Sequence, residues 1–187
     1  KRMKLQLSQN MGIPLEWISL YEIHKIEEMA QKGSYFLWHI KQEGRMLYSK
    51  RSFLKNILEN LPEYKGTMQD LNDYSIICEY FDVAYELSVL ASIIRNAAMA
   101  IDFLMGKRVY GRVTAIEVCN SLLKGRCDIP IDKYERLYMN RLYITGKSEH
   151  IEKMTGEDVE IWLDKAERLI SCGKEIYYGR TDENIMG

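Results

Sequence analysis

The sequence predicts a mainly α-helical protein, a helical bundle of six to seven helices with a small β-containing N-terminal lead-in. Three observations predict this fold class. Apolar residues recur at helical spacing over most of the chain, no glycine or proline occurs between Gly66 and Gly106, and strand-like alternation is confined to the first 21 residues. A chain of 187 residues that is 47% hydrophobic has enough apolar surface for one full domain with its own core.

The first part of the chain, residues 1–61, is expected to be an α/β lead-in. Residues 4–9 alternate polar and apolar side chains, and residues 16–21 follow a Gly-Ile-Pro turn, so both segments are predicted as short strands. Two short strands are too few to form a stable sheet alone. The lead-in therefore looks like the edge of an α/β unit.

Three helices should follow these strands within the lead-in. The first covers residues 22–32 and ends at Gly33. The second begins after the N-cap residue Ser34 and ends at Gly44, and the third stops at Pro62.

Residues 62–174 are predicted to form the helical bundle, and residues 175–187 a flexible tail. One unbroken helix from Gly66 to Gly106 would be roughly 60 Å long, which exceeds a compact domain of this size. The apolar stripe changes phase near residues 83–87, so a break is predicted there. A second apolar stripe on a different phase consists of Leu87, Leu90, Ile94, Ala97, Ile101 and Leu104. Further helices are expected at residues 111–123, 134–143 and 159–170, the last one after a capping sequence.

Beyond the predicted break, the first apolar stripe continues as a mostly polar one. Its members are Ser88, Ser92, Arg95, Met99 and Asp102. Such a stripe either lines a cleft or is the solvated or hydrogen-bonded side of a separate helix, and the sequence leaves both interpretations open.

The balance of charge restricts the class of partner. Lysine and arginine number 26 against 27 acidic residues, so the net charge of -1 creates no global field for nucleic acid or an anionic membrane. Binding to nucleic acid would need a local patch and stays undecided. The four cysteines are scattered, and no run reaches the ~20 apolar residues of a membrane span, so we expect a cytoplasmic protein without membrane contact.

No complete catalytic motif is present. The sequence contains neither an Asp-x-Asp pair for magnesium, nor a Walker glycine loop, nor a Gly-x-Ser-x-Gly elbow. The ribonuclease centre of helical HEPN domains would need a histidine five residues after Arg95, where Ala100 stands instead. The chain alone is therefore predicted to have no catalytic residue, no metal ligand and no cofactor of its own.

One segment resembles DNA-polymerase-β-like nucleotidyltransferases at the point where their catalytic sheet passes into a C-terminal helical region. It reads Phe36-Leu37-Trp38-His39-Ile40-Lys41-Gln42-Glu43-Gly44-Arg45-Met46-Leu47-Tyr48. The order and spacing of later residues is also similar, so the resemblance spans roughly residues 15–145. The Gly-Ser and Asp-x-Asp unit that holds the catalytic metal in that family has no counterpart in this chain.

The resemblance implies a helical portion that positions substrate or mediates assembly. Its partner would be an N-terminal nucleotidyltransferase catalytic domain, in the same gene or another chain, which would bring Mg and NTP. Residues Lys41, Arg45, Tyr48, Arg95 and Arg112 would then meet phosphate or acceptor substrate. For Arg95 the sequence also allows a buried hydrogen bond to Asp102 or to a backbone carbonyl.

A second hypothesis assigns the chain to a different class. It would be a non-enzymatic HEPN-like interaction module of a toxin–antitoxin or phage-defence system, acting through helix-mediated homodimerisation. A ligand-binding bundle that uses the aromatic residues of 134–143 is a third interpretation, although aromatics at helical spacing usually belong to a core.

Overall fold

The structure is a computed structural model that describes residues 2–48, 52–81, 87–144 and 155–185. These residues form nine α-helices and one short 3-10 helix, and none of them forms a β-strand. The prediction of a mainly α-helical protein is confirmed. The chain divides into two compact units, Lys1–Lys65 and Gly66–Gly187.

The first unit contains four α-helices and the 3-10 helix. In chain order they are α1 Arg2–Met11, the 3-10 helix Leu15–Trp17, α2 Ile23–Gln31, α3 Tyr35–Glu43 and α4 Phe53–Glu59. Helix α3 begins where predicted, because the Ser34 side chain accepts a hydrogen bond from the backbone N–H of Leu37. The buried core of this unit consists of Leu37, Leu58 and Leu61.

The turn between α2 and α3 requires glycine at Gly33. Its φ of +63° lies in the left-handed region, and a Cβ there would collide with the carbonyl oxygen of Pro62. The indole N–H of Trp38 donates to the same carbonyl at 3.0 Å. The segment after α4 is thus held against the start of α3.

The two predicted strands are wrong. Residues 4–9 belong to α1, and residues 16–21 begin within the 3-10 helix and continue without regular structure. Helix α1 contains leucine, lysine, glutamine and methionine, which favour helices, and no β-branched residue. An alternation of only six residues is too short to outweigh these propensities when no neighbouring strand in the described residues pairs with it.

The second unit contains five helices. They are α5 Thr67–Glu79, α6 Leu87–Leu104, α7 Thr114–Leu123, α8 Ile131–Ile144 and α9 Gly156–Ile185. Helix α6 lies at the centre and contacts the other four. Its face with Leu90, Ile94, Ala97 and Ile101 is fully buried, as the second apolar stripe predicted.

The predicted break in the Gly66–Gly106 segment is confirmed, because α5 ends at Glu79 and α6 begins at Leu87. Residues 82–86, within which much of the phase change falls, lie outside the described residues. Helix α9 begins at the predicted capping sequence, where the Thr155 hydroxyl accepts from the N–H of Asp158 and the Asp158 carboxylate accepts from the N–H of Thr155.

The C-terminal segment differs from the expected flexible tail. Helix α9 runs on through residues 175–185, past the three glycines from Gly156 to Gly179. Gly173 lies against the Leu71 side chain, where a Cβ would come within 3.1 Å of both methyl carbons. Glycine at this position therefore allows a close approach of α9 to α5 rather than ending the helix.

All four cysteines, Cys78, Cys119, Cys127 and Cys172, are buried free thiols of the second unit. Burial raises the pKa of Cys78 to about 11 and also raises the pKa of Cys119. Within the described ranges, no helix combines the length and the apolar character that crossing a membrane requires.

Candidate functional site

Arg95 is held by the loop between α6 and α7. Its side chain is half-buried, and its Nη2 donates to the carbonyl oxygen of Tyr110 at 2.6 Å. The Nε atom is buried without a hydrogen-bond partner in the described residues. Of the two hydrogen bonds that the sequence allowed, the structure has the one to a backbone carbonyl and not the one to Asp102.

Asp102 lies two helical turns after Arg95 along the same polar stripe and is fully buried. Neither carboxylate oxygen has a hydrogen-bond partner among the described residues. Burial raises the pKa of Asp102 from its ordinary 3.8 to about 7, because the charged form loses its hydration. Asp102 is therefore a buried carboxyl group whose charged form is disfavoured in the core.

Arg112, the second predicted residue of this unit, lies two positions after Tyr110. Its side chain is exposed, and its guanidinium stacks on the Tyr138 ring, with Cζ 3.7 Å from the ring centroid. In the part of the chain that the structure describes, neither Arg95 nor Arg112 forms an ion pair. The Arg112 charge is thus fixed in position by an aromatic ring and left without a carboxylate.

A third arginine completes this group. Arg141, one turn after Tyr138 on α8, donates to the Ser92 hydroxyl on α6. The positive charges of Arg95, Arg112 and Arg141 all act on the buried Tyr134, whose pKa burial raises to about 12 while the arginines act in the opposite direction. We call Arg95, Arg112 and Arg141 the arginine surface.

The predicted polar stripe supplies part of this arginine surface. Ser92 and Arg95 are hydrogen-bonded to α8 and to the α6–α7 loop, and Met99 and Asp102 are buried. The side chain of Ser88 lies outside the described part. Ser92 and Arg95 therefore fit the hydrogen-bonded side of a separate helix, whereas the Asp102 carboxyl group has no hydrogen-bond partner in the described residues.

The three predicted residues of the first unit are only partly brought together. Lys41 and Arg45 line one pocket of about 300 Å³ at the end of α3. The Lys41 ammonium also lies 4.7 Å from the centroid of the Trp38 ring. Tyr48 does not line this pocket, and its side chain is 83% exposed.

Two further cations were not predicted from the sequence. Arg141 belongs to a predicted helix that is rich in aromatic residues and arginines. Its hydrogen bond to Ser92, however, joins residues 49 positions apart. Lys55, which lines the pocket with Lys41 and Arg45, follows them by ten residues or more. Helical spacing shows which residues share a face of one helix and gives no register between two helices, so neither contact had a sequence signal.

The described residues contain no group of three or more His, Cys, Asp or Glu side chains that could hold a metal ion. The geometry of both cationic groups suits the binding of an anion, since arginine and lysine donate charge-assisted hydrogen bonds to phosphate or carboxylate. No protein-family model matches this chain, and comparison with curated proteins and with solved structures finds no match either.

Proposed function

We propose that this chain is the helical, substrate-positioning portion of a nucleotidyltransferase-like protein, and that its arginine surface binds a phosphate group. The observation that carries this proposal is Arg112, an exposed guanidinium that an aromatic ring holds in place and that no described carboxylate neutralises. The resemblance of residues 36–48 to the nucleotidyltransferase segment supports the family assignment.

The three arginines would have different roles in binding the phosphate. Arg95 already donates one hydrogen bond to Tyr110, and its role is to fix the loop that carries Arg112. Arg112 keeps the edge of its guanidinium free for a bidentate contact while its face lies on Tyr138. The phosphate would therefore contact Arg112 first, with the charge of Arg95 and Arg141 adding to the local potential.

Chemistry would come from the separate catalytic domain that the resemblance implies. That domain would supply the carboxylates for Mg and would bind the NTP, while this chain would hold the phosphate or the acceptor in position. Fixing a reactant in this way lowers the entropic part of the barrier without contributing any catalytic group. Lys41, Arg45 and Tyr48 of the first unit are proposed, independently of the arginine surface, to contact acceptor substrate.

Isothermal titration calorimetry with inorganic pyrophosphate tests the arginine surface. We expect Arg112→Ala to weaken binding by about 10-fold, because it removes one charge-assisted contact at a partly solvated position. The matched control is Arg168→Ala, which removes the same charge from an exposed arginine of the same unit that pairs with Asp164. Equal losses in the two variants would show a general charge effect and contradict the proposal.

The nucleotidyltransferase assignment needs its own experiment. We would incubate the natural gene product and this 187-residue chain separately with Mg and each labelled NTP, and measure nucleotide transfer by intact mass. Transfer by a product that carries a Gly-Ser and Asp-x-Asp unit, and none by this chain, is the expected result. A natural product that lacks this unit and transfers nothing would contradict the assignment.

The N-terminal segment favours the second candidate function, a non-enzymatic HEPN-like interaction module. Its large apolar side chains are unusually exposed, among them Met3 at 65%, Trp17 at 74% and Ile23 at 63%. These residues are close in sequence, and if they form one apolar patch it would be the surface that meets another macromolecule. Sedimentation analysis that finds a homodimer, abolished by Trp17→Ser, would favour this candidate over a monomeric substrate-positioning unit.

A further inference from the structure

The pocket at the end of α3 combines an apolar wall with a cationic rim. Its apolar lining comes from Ile40 on α3, Met46 after it, and Leu54 and Leu58 on α4. The pocket volume of about 300 Å³ lies at the lower end of the range for small-molecule sites. A ligand that fills it would be smaller than a nucleoside triphosphate.

Three cations and one carboxylate line the same pocket. The cations are Lys41, Arg45 and Lys55, and the carboxylate is Glu59. A Glu59 carboxylate oxygen lies 3.8 Å from the Lys55 ammonium, so these two charges offset each other, and among the described lining residues two positive charges remain. In the described residues Arg45 forms no ion pair, and its side chain is exposed at the rim.

Lys41 and Arg45 both lie at the C-terminal end of α3 and both line the pocket. Lys41 lies in the last turn of α3, and Gly44 ends the helix in an extended conformation, from which Arg45 and Met46 continue along the pocket. An anion at this rim would therefore meet Lys41 and Arg45, while an apolar body extends inward along Met46 and Leu54.

We infer that this pocket binds a small organic monoanion with an apolar body, whose carboxylate or comparable acid group contacts Lys41 and Arg45. The inference rests on the lining of the pocket and not on the proposed nucleotidyltransferase function, which also uses Lys41 and Arg45. Pyrophosphate would leave the apolar wall uncovered, and an uncharged apolar ligand would form no ion pair with Lys41 or Arg45. An amphipathic monoanion matches both parts of the lining at once.

Calorimetry with three probes tests the two halves of this inference on the intact chain. Octanoate has the charge and the apolar body, acetate has only the charge, and 1-octanol has only the apolar body. We expect acetate to bind about 50-fold more weakly than octanoate, because roughly half of six additional methylenes become buried. We expect octanol to bind about 10-fold more weakly, because it forms no ion pair with either cation. Octanol binding as tightly as octanoate would overturn the inference.

Variants then locate the site. Arg45→Ala should weaken octanoate binding about 5-fold, and Met46→Ala about 3-fold without changing the affinity for acetate. Both side chains are exposed, so the melting temperature should stay unchanged. The matched control is Lys32→Ala, which removes an exposed charge from the same unit outside the pocket.

Two results would reject this site. One is octanoate binding that Arg45→Ala and Lys32→Ala weaken equally, and the other is octanoate binding that Arg112→Ala abolishes. The second result would move the organic anion to the arginine surface. Because pyrophosphate reports on Arg112 and octanoate on Arg45, failure of this inference and failure of the proposed function give different patterns.

Discussion

The two units of the chain differ greatly in the size of their buried cores. In the described residues, the hydrophobic core cluster of the second unit contains 23 buried residues, whereas that of the first contains only Leu37, Leu58 and Leu61. A fully buried large apolar side chain contributes about 1.5–3 kcal/mol, so three of them offset little of the entropy lost when a unit of this length becomes ordered. The hydrophobic content of 47% is an average over the chain. It does not show that the second unit has a full core and the first a marginal one.

The largest expected effect comes from removing one central side chain from each core. Trp162→Ala should destabilise the second unit by about 3–5 kcal/mol, since Trp162 is almost fully buried beside Tyr134. Leu37→Ala should cost about 2–5 kcal/mol, which exceeds the margin that a three-residue core provides. Hydrogen exchange resolved by segment measures each unit separately.

We expect Leu37→Ala to remove exchange protection from α3 and α4 while α6 stays protected. Trp162→Ala should accelerate exchange in α6, α8 and α9. If Leu37→Ala reduced protection in α6 as strongly as Trp162→Ala does, the two units would unfold as one and the comparison would fail.

A second effect concerns Asp102, the unpaired carboxyl group in the larger core. Its folded-state pKa of about 7 lies above the ordinary 3.8, so the folded protein retains a proton that the unfolded chain releases. This contribution to stability is fully present below about pH 4 and is lost as the pH rises through about 7. A pKa raised from 3.8 to about 7 corresponds to at most about 4 kcal/mol in the free energy of unfolding.

Urea denaturation at pH 5 and pH 8 measures this loss. The wild-type free energy of unfolding should fall between these two values, and Asp102→Asn should remove most of the fall because the amide does not titrate. Asp164→Asn is the matched control, since Asp164 is exposed and pairs with Arg168. An unchanged pH dependence in Asp102→Asn would show that another group causes it.

The smallest effect compares two helix caps of the same kind. Ser34→Ala removes the cap of α3 in the first unit, and Thr155→Ala removes the cap of α9 in the second. Each should cost about 1 kcal/mol. In thermal denaturation followed by circular dichroism, this equal loss should shift the melting of the first unit more than that of the second. The shift for a given loss is inversely proportional to the unfolding entropy, so equal shifts would mean that the two units have similar unfolding entropies.

Helices and their ends could be predicted because their signals are local. Capping residues act on backbone groups within a few residues of themselves. The sequence alone therefore predicted the end of α2 from Gly33, the start of α3 from Ser34, and the start of α9 from the Thr155–Asp158 pair. The stripe of Leu90, Ile94 and Ile101 predicted the buried face of α6 because helical period and burial coincide there.

The parts that could not be predicted depend on contacts distant in sequence. A six-residue alternation at residues 4–9 specified no strand, because only a neighbouring strand could have made it one. The glycines of α9 led to the prediction of a flexible tail. In the structure, Gly173 allows α9 to approach the Leu71 side chain on α5. The stripe of α6 indicated Arg95 as a polar residue, but its bond to Tyr110 and the nearby Arg141 follow from tertiary structure.

The distribution of thiols gives this molecule a built-in reporter. All four cysteines lie in the second unit and are buried, and burial raises the pKa of Cys78 and Cys119, so their thiolate forms are scarce in the folded state. A thiol reagent such as 5,5'-dithiobis(2-nitrobenzoate) would react only when that unit opens and would ignore any opening of the first unit. The time course of the absorbance change would then give the opening rate of the second unit in an unlabelled, unmutated chain.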